Sequence, residues 1–199
     1  MNEIARKKFN INFLGDTSVG KTSIIKRHIN KTFDENAIAT IGIDNIKDEK
    51  EFDNKKYSFK IYDTAGQERY KSISLNYIKL GDGFLLVFSV DNRETFDKLE
   101  EWVQNIYDSV PIEEKVIFLV GNKIDSPNRT VTREEAETYA KNKNFPYYET
   151  SAKTGDGIEK LFDELYNEIY NLNKKGGNGS KGDNVKLKSG KNGKGKCSC

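Results

Sequence analysis

The chain has 199 residues, 35% hydrophobic and 32% charged, with a formal net charge of +2, which suits one domain with a sizeable core plus an appendage. The charge is unevenly placed: residues 174–199 carry eight lysines and one acid, whereas 1–173 hold 25 basic and 30 acidic side chains. An acidic body with a basic tail argues against a nucleic-acid-binding domain, whose basic surface lies on the folded part.

Both cysteines, Cys197 and Cys199, fall within the last three residues, so they cannot form a disulfide framework for the core. The longest apolar run, 83–88, is far too short to span a bilayer. No apolar segment follows Arg6-Lys7-Lys8, so no secretory signal is visible. The body reads as a soluble domain of a reducing compartment.

In chain order, Phe9, Ile11 and Phe13 alternate with Asn10 and Asn12, the pattern of a strand. Gly15-Asp16-Thr17-Ser18-Val19-Gly20-Lys21-Thr22-Ser23 follows and fits G-x-x-x-x-G-K-[ST], a loop that cradles nucleotide phosphates. The glycines let the backbone approach the ligand, and Lys21 supplies charge to the outer phosphates while Thr22 supplies a hydroxyl to Mg²⁺. Residues 23–29 contain no helix breaker and predict a helix. The stretch 30–40 reads as a functional loop. Strands are predicted at 43–50 and 56–62, joined as an antiparallel hairpin by Asp53-Asn54-Lys55. The segment from 68 to 81 is ambiguous.

A near-continuous apolar run at 84–90 predicts a buried parallel strand. A helix is predicted over 92–107, with Phe96, Leu99, Val103 and Ile106 on one face. A second buried strand follows at 116–120. Thr132-Arg133-Glu134-Glu135 is a capping box opening a helix to about residue 143. A short strand at 147–150 and a helix at 158–172 complete the body. Strands alternating with helices predict a single α/β domain, a six-stranded mostly parallel sheet with one antiparallel strand and about five helices. Ligands on such sheets bind at the carboxyl ends of the strands, and each motif lies just after a predicted strand. From 174 onward the chain is Gly, Lys, Asn and Ser, too poor in apolar side chains to offset ordering entropy, and is expected to be a disordered tail.

Three further motifs carry chemistry. Asp63-Thr64-Ala65-Gly66-Gln67 places an acid where it suits a water-mediated Mg²⁺ contact, a glycine N–H for a γ-phosphate and an amide that can orient a water. Alone, D-x-x-G is a common turn; beside a phosphate loop on one sheet edge it points to the nucleotide. In Asn122-Lys123-Ile124-Asp125, the carboxylate can accept from both N1–H and the exocyclic amine of guanine. Adenine would leave Asp125 buried and unpaired, which gives selectivity. The Lys123 stem can cover a base face. Thr150-Ser151-Ala152-Lys153 offers small residues whose backbone N–H can reach the guanine carbonyl oxygen, a weak signal by itself. Thr40 ends the polar loop, where a hydroxyl can add Mg²⁺ and γ-phosphate contacts only when a third phosphate is present. His28, the sole histidine, is read as a helix-surface or core residue without a metal role.

In this order and spacing, the motifs resemble a small GTPase of the Ras superfamily, with the fold of a P-loop NTPase small G domain over residues 1–173. The text Gly15-Asp16-Thr17-Ser18-Val19-Gly20-Lys21-Thr22, Thr40-Ile41-Gly42-Ile43-Asp44, Asp63-Thr64-Ala65-Gly66-Gln67-Glu68-Arg69-Tyr70 and Cys197-Ser198-Cys199 is similar to the Rab family.

The resemblance implies a GTP/GDP switch that hydrolyses GTP and regulates vesicle traffic. Lys21 would contact the β/γ-phosphates, Thr22 and Thr40 would ligate Mg²⁺, and Asp63 would act through a water. Gly66 would bind the γ-phosphate and Gln67 the hydrolytic water. Asn122, Lys123 and Asp125 would read guanine with Ser151, Ala152 and Lys153. Thr17 stands where Ras proteins have glycine; its side chain would crowd the γ-phosphate region and slow intrinsic turnover. The partners implied are an exchange factor, an activating protein, GTP-state effectors, a prenylation escort and a GDP-dissociation inhibitor. The chain departs from the usual Rab pattern at Asn45 and Tyr62, which with Tyr77 match the aromatic triad that effectors read. A nucleotide-dependent binding module with negligible hydrolysis is the alternative, and the presence of Thr40 and Gln67 argues against it. An ATP-using metabolic enzyme is disfavoured by Asp125 and by the lack of a substrate domain.

The tail has Lys196 at the fourth position from the end, so a C-a-a-X motif is absent. Two inert cysteines are the plain reading. The Rab resemblance implies geranylgeranylation of Cys197 and Cys199, and hence lipid anchoring on the cytoplasmic face of membranes with a cytosolic pool. Two lipids give the stable attachment that one does not, and Lys186, Lys188, Lys191, Lys194 and Lys196 add attraction to anionic lipid of about 1 kcal/mol per charge. The double variant Cys197→Ser, Cys199→Ser is expected to move to the soluble fraction while retaining nucleotide; persistence in the membrane pellet would refute the anchor.

Overall fold

The computed structural model describes residues 8–35, 43–64 and 76–178. Six strands, β1 (Lys8–Leu14), β2 (Ile43–Phe52), β3 (Lys55–Thr64), β4 (Gly83–Ser89), β5 (Val116–Asn122) and β6 (Tyr147–Thr150), form one sheet in the order β2-β3-β1-β4-β5-β6. Among the described residues, only the β2–β3 pairing is antiparallel. Among the described residues, five named helices cover it: α1 (Lys21–Asn30), α2 (Arg93–Asp97), α3 (Leu99–Ser109), α4 (Arg133–Lys143) and α5 (Ile158–Asn178). The expected sheet and helix number are therefore present.

Strand periodicity divides the core in two. Along β4, Leu85 and Val87 pack with α1 and α5, whereas Phe84, Leu86 and Phe88 pack with α2, α3 and α4. The same alternation sends Phe118 and Val120 of β5 to the first cluster and Ile117 and Leu119 to the second, because successive strand side chains point to opposite faces. Burial on both faces explains why these strands read as continuous apolar runs. Each large apolar side chain fully buried contributes roughly 1.5–3 kcal/mol, so the α5 stripe Ile158, Leu161, Phe162, Leu165 and Ile169, all at or near zero exposure, holds that helix to the sheet. Asn12, which looked like the polar half of a strand alternation, is fully buried and donates to the Tyr77 carbonyl at 3.2 Å.

The β2–β3 turn is tighter than expected. Only Asp53 and Asn54 lie between the paired residues Phe52 and Lys55, and both have positive φ, 48° and 58°. That conformation matches the twist of the flanking strands, and Asn and Asp tolerate it.

Two helix boundaries differ from the sequence expectation. The predicted 92–107 helix is divided at Lys98, whose ψ is −5° and whose side chain pairs with Glu94 (2.8 Å) and with Asp16 of the phosphate loop (3.0 Å). The last helix runs to Asn178, past both the expected end at 172 and the expected tail boundary at 173. Tyr170 and Lys174 donate to the Asp53 carboxylate at 2.7 and 2.9 Å, so the hairpin tip meets the continuing helix. The capping box is half as expected: Thr132 accepts the Glu135 N–H at 3.2 Å, while the Glu135 carboxylate pairs with Arg93 of α2.

His28 sits half-buried between α1, β2 and α5. Its ring stacks on Phe162 with centroids 3.7 Å apart and planes 6° from parallel, and Nε2 lies 2.9 Å from Asp48 Oδ2, which also accepts from Tyr166 at 2.7 Å. Burial alone would raise the Asp48 pKa, but hydrogen bonds from His28, Tyr166 and the Glu49 N–H outweigh it and hold the carboxyl below its ordinary 3.8. A depressed folded pKa contributes stability above the unfolded value and loses it as pH falls through the folded one. Asp48→Asn should cost about 1–2 kcal/mol at neutral pH, where the charge-assisted bonds are lost. Urea denaturation should also show wild type losing stability more steeply than the variant between about pH 5 and pH 3.

Candidate nucleotide-binding site

The phosphate loop leaves β1 at Gly15, where φ is 138° and a Cβ would stand 2.1 Å from the Val87 carbonyl oxygen, so no side chain fits. Ser18 (φ 59°) and Gly20 (φ 97°) turn the chain into α1, and the Ile24 N–H closes on the Gly20 carbonyl at 2.9 Å. Backbone N–H groups gathered by such left-handed residues at a helix N-terminus form an anion nest. Lys21 is buried, with Nζ donating to the carbonyls of Gly15 (2.9 Å) and Asp16 (2.8 Å). Burial lowers its pKa to about 8 against the opposing pull of Asp63 and Asp16. Asp16 accepts from the Thr17 N–H at 2.7 Å and from Lys98 at 3.0 Å. Val19 is fully buried beneath the loop, while Thr17 and Ser18 are exposed.

Thr22 and Asp63, 41 positions apart, meet at 2.6 Å, the hydroxyl donating to Oδ2. Asp63 is 3% exposed at the end of β3. A hydroxyl and a carboxylate side by side beside a phosphate nest are the oxygen donors Mg²⁺ takes while it retains waters and substrate phosphates, so the residues present fit that ion. Thr40, Gly66 and Gln67 lie outside the described residues, as do Cys197 and Cys199.

The residues that the sequence assigns to the base come from the ends of β5 and β6. Strand β5 extends to Asn122, so Asn122 is a fully buried strand residue and not part of the turn. Its Nδ2 donates to the Val19 carbonyl at 2.8 Å, and its Oδ1 accepts from Thr150 Oγ1 at 3.1 Å and the Ala152 N–H at 3.3 Å. Lys123 takes φ 65°, a costly conformation for a lysine that occurs at functional sites. Its Nζ lies 3.8 Å from Asp91. Asp125 is exposed and accepts from Ser151 Oγ at 2.6 Å. Lys153 pairs with Glu35 at 2.6 Å.

These elements enclose one cleft of about 570 Å³, lined at one end by Thr17, Gly20, Lys21, Thr22 and Ser23 and at the other by Asn122, Lys123, Asp125, Ala152 and Lys153. Phe33, Asp34, Glu35 and Asp91 also line it. The sequence reading missed these four, because nothing local distinguishes a loop aromatic or a strand-end acid that tertiary packing brings to a cleft. Gly15, Asp16, Val19, Asp63 and Ser151 are not on the lining; they support the residues that are.

Comparison with known proteins agrees with this geometry. The model of the Ras family matches residues 10–171. Among curated relatives, Ras-related protein Rab-18 of Caenorhabditis elegans is 36% identical over 156 residues, 78% of this chain and 77% of the relative. Ras-related protein Rab-9B of Homo sapiens is 39% identical over 160 residues, 78% and 80% of the two chains. The chain belongs to the Ras family of small GTPases, and within it to the Rab type.

The three positions matching the aromatic triad are neighbours: Asn45 pairs with Tyr62 across β2 and β3, and the Tyr62 and Tyr77 rings lie 4.8 Å apart. Tyr62 is only 5% exposed. Lys60 Nζ stands 4.8 Å over the Tyr62 ring, so an amide and a cation frame what is left of the aromatic surface.

Gly20 gives the sharpest test of this architecture. A Cβ there would lie 2.3 Å from Asn122 Nδ2, at a φ that other residues rarely adopt. Gly20→Ala should displace the Asn122 amide, lower stability by about 1–3 kcal/mol through the combined strain, and weaken nucleotide retention. Thermal denaturation and the nucleotide content of the purified variant read the two effects.

Proposed function

We propose that this chain is a GTP/GDP-switched, GTP-hydrolysing regulator of vesicle trafficking that works from a membrane surface. The observation that carries the nucleotide part is the cleft that joins the Lys21 phosphate loop to the Ser151–Asp125 pair, with Oγ and Oδ1 at 2.6 Å. That hydrogen bond orients the carboxylate, leaving its remaining acceptor capacity for the N1–H and exocyclic amine of guanine.

Lys21 and the loop N–H groups would hold the phosphates. Thr22, Thr40 and, through a water, Asp63 would hold Mg²⁺, which supplies charge compensation at the β- and γ-oxygens. Gly66 would contact the γ-phosphate and Gln67 would orient the attacking water. Thr17 is exposed on the cleft lining, and its side chain would crowd the γ-phosphate region, which supports slow intrinsic hydrolysis accelerated by an activating protein. Membership of the Rab type supports vesicle trafficking as the process, with an exchange factor and GTP-state effectors as partners. It also supports cycling through an escort and a GDP-dissociation inhibitor. Geranylgeranylation at Cys197 and Cys199, aided by the tail lysines, would anchor the chain on the cytoplasmic face of a membrane.

Nucleotide released from the purified protein should be GDP or GTP. Asp125→Asn replaces an acceptor with a donor, and should weaken GDP binding roughly 100-fold, because the N1–H and amine of guanine then face a mismatched donor. The same variant should gain affinity for xanthine nucleotides, whose 2-oxygen can accept from the new amide. Recovery of ATP, or unchanged GDP affinity in the variant, would overturn the reading.

A further inference from the structure

Arg27, on α1 two turns beyond the phosphate loop, reaches the opposite end of the cleft. Its Nε donates to the Ala152 carbonyl at 2.7 Å, Nη2 donates to the Lys153 carbonyl, and Nη1 donates to the Lys31 carbonyl at 3.1 Å. Its Cζ stands 5.9 Å from the centre of the Phe33 ring, which lines the cleft. One side chain therefore spans α1, the loop that follows it and the base-reading loop, across 125 and 126 positions of sequence. A guanidinium presents its donors in a rigid planar fork, so it can bridge adjacent carbonyls that a single ammonium cannot hold in fixed geometry.

The consequence for the base follows from the peptide plane. In a trans peptide the N–H lies opposite the preceding C=O. Drawing the Ala152 carbonyl toward Arg27 turns the Lys153 N–H to the other side, away from α1. The Ala152 N–H is fixed in parallel, 3.3 Å from Asn122 Oδ1. With the Ala152 N–H committed to Asn122, the Lys153 N–H turned in this way is the donor offered to a carbonyl oxygen at position 6 of a purine, whereas Asp125 addresses the N1–H and the amine.

We propose that Arg27 is a positioning residue for recognition of the guanine 6-oxygen, and that by holding the 151–153 backbone it sets the base selectivity and the lifetime of the bound nucleotide. This rests on the guanine-nucleotide reading above. Nothing in the phosphate-loop motif or the Asp125 motif points to it, because Arg27 belongs to neither.

The test uses full-length Arg27→Lys and Arg27→Ala and the dissociation rates of three diphosphates. GDP is the reference; 6-thio-GDP keeps the N1–H and amine but replaces the 6-oxygen with a poor acceptor; IDP keeps the 6-oxygen and lacks the amine. In wild type, both analogues should leave faster than GDP. In the variants, GDP release should accelerate roughly tenfold, the scale of one lost charge-assisted hydrogen bond. The 6-thio-GDP penalty should shrink toward nothing, while the IDP penalty stays intact. Arg27→Lys, which keeps the charge and the alkyl stem, provides the reading if Arg27→Ala folds poorly. Equal acceleration for all three nucleotides with both penalties preserved would mark a merely structural residue and overturn the proposal, as would rates unchanged from wild type. Wild type that releases all three alike would instead overturn guanine recognition itself.

Discussion

The site depends on one buried side-chain amide. Asn122 ends β5 with no exposure to speak of, its Nδ2 on the Val19 carbonyl and its Oδ1 on Thr150 and Ala152. These contacts join the loop after β1 to the loops after β5 and β6, so the phosphate end and the base end of the cleft are fixed relative to each other. Burial makes the arrangement demanding: an amide left with an unmet donor or acceptor in this position costs the full desolvation of that group. The same closeness forbids a side chain at Gly20, whose Cβ would collide with Nδ2. One amide thus explains both the spacing of the loops and one glycine of the phosphate motif.

Charge at the phosphate end is held out of balance with water. Lys21 is buried and has a pKa lowered to about 8, with burial the dominant cause and Asp63 and Asp16 opposing it. A site that keeps a cation desolvated beside a helix N-terminus is prepared for an anion of high charge. Exposed pairs such as Lys153–Glu35 and Lys174–Asp53 belong to the class that contributes little to stability. Their effect is directional: they bring loop 31–35 to the base loop and the hairpin tip to α5. The stability resides in the two apolar layers, where strand alternation divides residues between the helices on either face.

The legible part of the site was the part written in short motifs. Residues 15–23, 63–67, 122–125 and 151–153 could be placed at strand ends because apolar runs and the turn chemistry around them identified the strands. What escaped has no local signature. Lys98 divides the 92–107 pattern while pairing with Asp16, 82 positions away; the apolar period of Phe96, Leu99, Val103 and Ile106 runs across the break unaltered. The helix beyond 172 meets Asp53, a hairpin residue 117 and 121 positions from its partners, so composition alone read that segment as tail. Arg27 and Phe33 look like an ordinary helix arginine and an ordinary loop aromatic. Thr40, Gly66, Gln67, Cys197 and Cys199 lie outside the described residues, and their roles rest on the motifs together with the family resemblance.

By itself, then, the sequence determined the α/β class, the strand positions and the phosphate-loop motif, and it singled out Asp125 as the acid proposed to read the base. Each of these depends on information within a few residues: a period of two or 3.6, glycines at motif spacing, a carboxylate whose acceptors could match two donors of one base. The tertiary structure decided which residues stand behind those motifs. Asn122 reaching Val19, Arg27 holding Ala152 and Lys153, and His28 stacked between β2 and α5 are contacts between segments far apart in the chain. Their geometry is set by how two apolar layers close on the sheet, and no local pattern encodes that closure.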